Sequence, residues 1–256
     1  MILRGFVLKI ENSGENDLNL IFFSEEEGKI KILVKGARKP LSKLRGLCQF
    51  FIFLELKIVK GKRNIHLIGG RELKIFKNII ESFKKIKETS FLLSTLNSFF
   101  PFFLPTDPPT CPPKLQRRRK LYAKEEKKEP KIFALSLKTL EKINSLSEEK
   151  TDLLKSAFLI KFLAFSGFKP ELKKCLICHK LLLENFVFFD FKQGGLICSA
   201  CQKTKNSDQI KISSEILGIL QNLLYKDFDF LKEKNFSEKS LIEIDDILKK
   251  FLVWRQ

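Results

Sequence analysis

The sequence predicts an α+β multidomain chain, with a small five-stranded barrel first and then a helical domain into which a strand-rich, four-cysteine module is inserted. Three observations support this. Short apolar runs broken by turn residues fill the first 70 residues, apolar positions then recur every three or four residues, and two Cys-x-x-Cys pairs interrupt the helical pattern. The expected divisions are 1–72 for the barrel, 73–174 for a helical region with a flexible insertion at 101–130, 175–201 for the cysteine module, and 202–256 for closing helices.

The first two strands are read at Ile2 to Ile10 and Leu18 to Phe23, separated by the polar turn Ser13-Gly14-Glu15-Asn16-Asp17. A third, Lys29 to Lys35, alternates, with Ile30, Ile32 and Val34 facing the core and Lys29, Lys31 and Lys35 forming a basic face. The fourth, Phe50 to Ile58, sends Phe50, Ile52, Leu54, Leu56 and Ile58 inward and Phe51 and Phe53 outward. A turn at Gly61 to Asn64 leads into the fifth, Ile65 to Ile68. Between strands three and four, Gly36 to Gly46 (GARKPLSKLRG) reads as a flexible loop dense in cations: Arg38, Lys39, Lys43 and Arg45. Two readings stand for it, a phosphate-contacting loop beside a sheet that holds single-stranded nucleic acid, and a solvated charge run. Phe51 and Phe53 likewise either stack on bases or pack against the helices that follow.

From Glu72 to Phe100 the period is helical. Pro101 ends it, and the stretch 101–130 holds all but two of the nine prolines together with Arg117, Arg118, Arg119 and Lys120, so it reads as a loosely held insertion. Helices are expected over Ile132 to Leu146 and Glu148 to Ser166. The second is capped by Ser147, ended by Gly167 and Pro170, and apolar round much of its circumference, as befits a central helix. Two more are expected over Ser214 to Tyr225 and Ser237 to Trp254. The stripe of Leu241, Ile244, Leu248, Phe251 and Leu252 on the last is either core or a groove for a partner's apolar peptide.

Cys175, Cys178, Cys198 and Cys201 are the most chemically specific feature, with 19 residues between the pairs. Each pair forms a knuckle presenting two thiolates. The intervening Asn185 to Phe191 strand, Lys192 to Gly195 turn and Leu196-Ile197 form a hairpin that brings the knuckles together. Four thiolates make a closed tetrahedral Zn²⁺ site with no open position, hence structural; two disulfides or plain buried thiols are the competing reading. No signal peptide or apolar span is evident, so a cytoplasmic chain with reduced thiols is expected, in which Cys48 and Cys111 are bystanders.

The net charge of +18 implies a polyanionic partner, and the excess sits in the first two thirds of the chain while residues 210–256 are neutral. His66 and His179 lack an evident nucleophile or carboxylate partner. Neither a Walker-type loop nor a Rossmann glycine fingerprint is present, and the acidic residues do not cluster for two metals. Binding rather than turnover is expected. An RNA-binding or ribosome-associated barrel with a zinc ribbon is the competing class.

The order of these pieces resembles the RecO family of bacterial recombination mediators over most of the length. The resemblance rests on Gly5-Phe6-Val7-Leu8 followed by Gly14 to Leu18, on Val34 to Lys39 with Ser42, and on Phe50 to Leu56. It continues with Phe165 to Leu172 ahead of Cys175 and Gly194-Gly195-Leu196-Ile197-Cys198. The 101–130 stretch looks longer than the usual connector of the family. The resemblance implies an N-terminal OB-fold, a helical C-terminal domain bearing the zinc module, and no catalytic turnover. It also implies binding of single- and double-stranded DNA at the nucleoid and annealing of complementary strands. Joint action with RecR would help RecA replace single-stranded DNA-binding protein (SSB), whose C-terminal tail is a further expected partner. The expected DNA contacts are Arg38, Lys39, Lys43 and Arg45, with Lys31 and Lys35 next.

Overall fold

The computed structural model describes residues 1–61, 64–100, 129–182, 184–202 and 208–255. Two compact units result, Met1–Ala134 and Leu135–Gln256. Most of the proline-rich stretch expected to be flexible, together with Cys111 and Arg117 to Lys120, lies outside the described residues.

In the first unit five strands close a barrel: β1 (Ile2–Ser13), β2 (Asp17–Ser24), β3 (Gly28–Val34), β4 (Ile52–Lys60) and β5 (Ile65–Ile75), in the order β1-β2-β3-β5-β4. All pairings are antiparallel except β3 with β5. This is the OB-fold arrangement. Alternation fills the interior with Leu3, Val7, Leu20, Phe22, Ile30, Ile32, Val34, Leu54, Leu56 and Ile58. Gly5 sits where β1 meets both β2 and β4, and a Cβ there would stand 2.0 Å from the Phe23 carbonyl oxygen. Gly5→Ala is therefore expected to cost about 3 kcal/mol or more, read as a lowered denaturation midpoint.

Outside the barrel, Phe6 and Phe23 seed an aromatic cluster. Phe133 stacks on Phe6 (5.7 Å between centroids) and lies 5.7 Å from Phe23, which also stacks on Phe100 at 5.8 Å. Phe133 belongs to α3 (Pro130–Ser145), while Phe100 follows α2 (Phe83–Phe99), so the chain enters and leaves the 101–128 stretch at one aromatic cluster.

Three local expectations change. Glu72 to Ile75 continue β5, because Leu54 and Ile52 of β4 pair with Glu72 and Ile75 and so hold them extended; helix begins only at α1 (Lys77–Ile80). Ser82 then caps α2, accepting from the Lys85 N–H. Phe50 precedes β4 and is exposed rather than inward. Lys29, assigned to the basic face, is only 6 % exposed: its ammonium donates to the carbonyls of Asn97 (2.5 Å) and Phe100 (2.8 Å) and so caps the end of α2. Burial lowers its pKa, with Lys9 adding to the effect.

In the second unit α4 (Thr151–Phe165) is the buried central helix, flanked by α5 (Ser214–Tyr225), α6 (Phe228–Lys232) and α7 (Glu238–Val253). Gly167, at φ 91°, ends α4 in a Schellman turn in which Phe168 donates to Leu163 and Gly167 to Ala164. The α7 stripe is core: Ile244, Leu248, Phe251 and Leu252 are buried and Leu241 is half-buried. Lys155, inside α4, lies 3.0 Å from Asp245 of α7 and 3.7 Å from Asp152. Inserted after α4 is a four-stranded sheet, β6 (Glu171–Cys175), β7 (Phe186–Asp190), β8 (Gly195–Ile197) and β9 (Gln209–Ser213), ordered β6-β8-β7-β9. No described helix is long and apolar enough to cross a membrane.

Candidate nucleic-acid interface and metal centre

The cationic loop is built on hydrogen-bonded turns rather than the flexible backbone expected. Gly36, at φ 64°, donates its N–H to Asp17 Oδ1 (2.7 Å), and Arg38 donates to the Asn16 carbonyl (3.0 Å), so the β1–β2 turn anchors the loop. Lys39 then donates to Gly36, Ser42 to Lys39, and Arg45 to Ser42, and a short 3₁₀ turn covers Arg45–Leu47. Ala37, Leu47 and Cys48 sink into the barrel core. The Cys48 thiol, buried there, is pushed up to about 11, as befits a packing residue.

With its backbone bonded and its apolar residues inside, this loop turns its charges outward. Arg38, Lys39, Lys43 and Arg45 are exposed, as is Lys35, and none has a carboxylate partner among the described residues. Lys31 differs: it is half-buried and lies 3.5 Å from Glu11, which also takes Lys9 at 2.8 Å. Lys9 chiefly, and Lys31, outweigh burial and hold the Glu11 carboxyl below its usual range. Sequence reasoning missed the Asn16 and Asp17 anchor, although the polar turn that carries both residues was legible. Phe53 packs against Phe133 at 6.4 Å and Phe51 lies 6.1 Å from Phe50, so Phe53 follows the helix-packing alternative.

Cys175, Cys178, Cys198 and Cys201 converge, with all four sulfurs within 4.8 Å of one another. The β7–β8 hairpin pairs Phe188 with Ile197 and Asp190 with Gly195 and thus delivers Cys198 to the end of β6, where Cys175 sits. Ile177 and Cys198 donate backbone N–H groups to Cys175 Sγ at 3.4 and 3.5 Å. The Cys178 and Cys198 sulfurs are 3.8 Å apart, which matches the roughly 3.8 Å edge of a tetrahedron with ~2.3 Å metal–sulfur bonds. His179 takes no part through its ring; it occupies a left-handed turn position, φ 58°, and donates its N–H to the Cys175 carbonyl. Glu184 accepts from the Ser199 N–H (3.1 Å) and hydroxyl, bracing the second knuckle.

Electrostatics at this centre suit a cation. Burial alone would raise the Cys175 thiol, yet N–H groups of Cys178, Cys198 and Ile177, with the Cys178 thiol, bring it down to about 6. Hydrogen bonding from the Cys198 side chain and burial push Cys201 up to about 12, and Cys198 is raised by burial. One thiolate therefore forms readily and suppresses the next; a divalent ion lets all four ionise. The donor set fits a bound metal ion.

A closed five-stranded barrel with an outward-facing basic loop, followed by helices bearing a strand-rich insert, defines an OB-fold protein with a four-cysteine cluster able to hold a metal ion. Comparison with known proteins narrows this class. The family model described as Recombination protein O N terminal matches residues 1–74, and Recombination protein O C terminal matches residues 120–255. The chain is 26 % identical over 266 residues to the DNA repair protein RecO of Dehalococcoides mccartyi, covering 95 % of this chain and 94 % of that protein. It is 28 % identical over 250 residues to the DNA repair protein RecO of Alkaliphilus metalliredigens, covering 97 % and 91 %. The chain belongs to the recombination protein O (RecO) family, whose members act in DNA repair and recombination.

Proposed function

We propose that this protein is a recombination mediator that binds single- and double-stranded DNA through its barrel and anneals complementary strands. With RecR it helps load RecA onto SSB-coated DNA, acting in the cytoplasm at the nucleoid, with RecR and the SSB C-terminal tail as protein partners and without catalytic turnover. The observation that carries this reading is the set of exposed, carboxylate-free cations Arg38, Lys39, Lys43, Arg45 and Lys35 on a backbone-anchored loop and adjoining strand end. Lys31 is a weaker contact, because Glu11 already offsets part of its charge.

Annealing follows from the physics of such a surface. Cations that neutralise phosphates lower the repulsion between two strands, while contacts to the backbone leave base edges free to pair. In the division we infer, residues 1–72 hold DNA and the helical parts, 73–174 and 202–256, frame the 175–201 module. There Cys175, Cys178, Cys198 and Cys201 hold Zn²⁺, which supplies a cross-link and no chemistry.

Mixing complementary oligonucleotides, bare or coated with SSB, in the presence of RecR should show faster duplex formation with the protein than without, and the gain should fade as salt rises. Absence of both acceleration and DNA binding at low salt would remove this reading. A clear preference for RNA over DNA of the same sequence would replace it with an RNA-binding role.

A further inference from the structure

Residues 210–256 are charge-neutral, yet where they meet the 165–173 stretch the cations are not evenly spent. Tyr225, at the end of α5, is 43 % exposed, with the ammonium groups of Lys169 and Lys173 at 5.1 and 4.8 Å from its ring centroid. Lys226 follows it, and all three lysines are exposed without a carboxylate partner among the described residues. Two carboxylates stand nearby, held by backbone N–H groups and in ion pairs with none of these lysines. Glu171 accepts from the Lys173 and Lys174 N–H groups (2.8 and 3.2 Å), and Asp227 accepts from Phe230 N–H as the cap of α6. Lys161 of α4 fixes the place, donating to the Leu224 and Lys226 carbonyls at 3.0 and 2.6 Å. Phe165 lies one helical turn beyond Lys161 on the same face and is 47 % exposed.

Two exposed aromatics among three ammonium groups that form no ion pair is the composition of a single-strand contact, in which cations follow the phosphates and π-faces meet the bases. We infer that Tyr225, Phe165, Lys169, Lys173 and Lys226 form a second contact for single-stranded nucleic acid, on the helical unit. This rests on the proposed DNA-binding role and deepens it: one chain then offers two places for strands. Lys173 and Lys169 come from β6 and the α4–β6 connection, and Tyr225 and Lys226 from the end of α5, so the cluster is assembled by folding and is invisible in the charge of any one segment.

The test titrates a fluorescein-labelled oligo-dT with the full chain across salt concentrations. Replacing Lys169→Glu together with Lys173→Glu should weaken binding about tenfold at low salt and flatten the log–log salt slope by about 1.4, two phosphate contacts at ~0.7 each. Tyr225→Leu should weaken binding about tenfold with the slope unchanged. Light-induced crosslinking of an iodouracil-substituted strand should mark Tyr225. The melting temperature of each variant establishes that it is folded, and Lys169→Ala with Lys173→Ala replaces the charge reversal where that fails. Wild-type affinity and slope in these variants, alongside weakened binding in Arg38→Glu/Lys39→Glu, would overturn the second contact and leave the barrel reading standing. No binding by the wild type would overturn both. Loss of an acidic, Phe-ended peptide with oligo-dT binding intact would make this a protein-docking surface and also overturn the inference.

Discussion

Replacing Cys198 with serine is expected to abolish binding of the zinc ion proposed for the four-cysteine site, melt the sheet of the second unit and sharply reduce soluble yield. One face of the inserted sheet packs through Val187, Phe189, Leu196 and Ile212, which are buried, while the cysteine end has its own small cluster of Cys175, Ile197 and Cys198, with Cys178, Leu182, Phe188 and Cys201 packed against it. Four of those seven residues are the cysteines proposed as ligands. Removing one thiolate opens the tetrahedron and leaves three sulfurs crowded together without full compensation. Structural zinc contributes roughly 10 to 16 kcal/mol in small domains that fold around it, so losing even about 4 kcal/mol should lower the melting temperature by about 8 to 16 °C for a chain of this size. A chromogenic chelator should count one metal per wild-type chain and none in the variant. A variant that keeps its melting temperature with no metal bound would show that the sheet stands without the ion.

Reversing Arg38 and Lys39 to glutamate is expected to weaken single-stranded DNA binding more than tenfold at low salt while leaving the fold intact. The two effects separate because the loop uses only the backbone groups of these residues: Arg38 donates to Asn16, and Lys39 both donates to Gly36 and accepts from Ser42. Their side chains are exposed and support nothing else, so stability should stay within about 0.5 kcal/mol. Removing two of the proposed phosphate contacts should flatten the log–log salt slope by about 1.4. Unchanged affinity would place the DNA elsewhere than on this loop.

What was legible in the chain and what was not follows the range of the interactions. Alternation in Lys29 to Lys35 and in Phe50 to Ile58, and the spacing of the four cysteines, are local patterns with one good solution each, and β3, the body of β4 and the converged thiols appear accordingly. Glu72 to Ile75 have helical spacing, but a long-range ladder to β4 overrides it. Lys29 alternates as a surface residue, and only a helix end 68 residues away makes it internal. The Lys155 and Asp245 pair is likewise invisible until α4 and α7 meet. The basic loop lies between these cases: its charges are plain in the sequence, while the turn ladder that holds them to the β1–β2 hairpin is not.

The shared aromatic cluster at Phe100 and Phe133 bears on how such a chain can change over evolutionary time. Phe100 and Phe133, on either side of residues 101–128, both lie beside Phe23, so the two flanks are held at one place. Joining two fixed flanks through a flexible connection costs in general only about 0.6 kcal/mol more for each doubling of its length. Insertions there meet almost no thermodynamic resistance, so new sequence can accumulate and be selected at that point while the barrel keeps its shape.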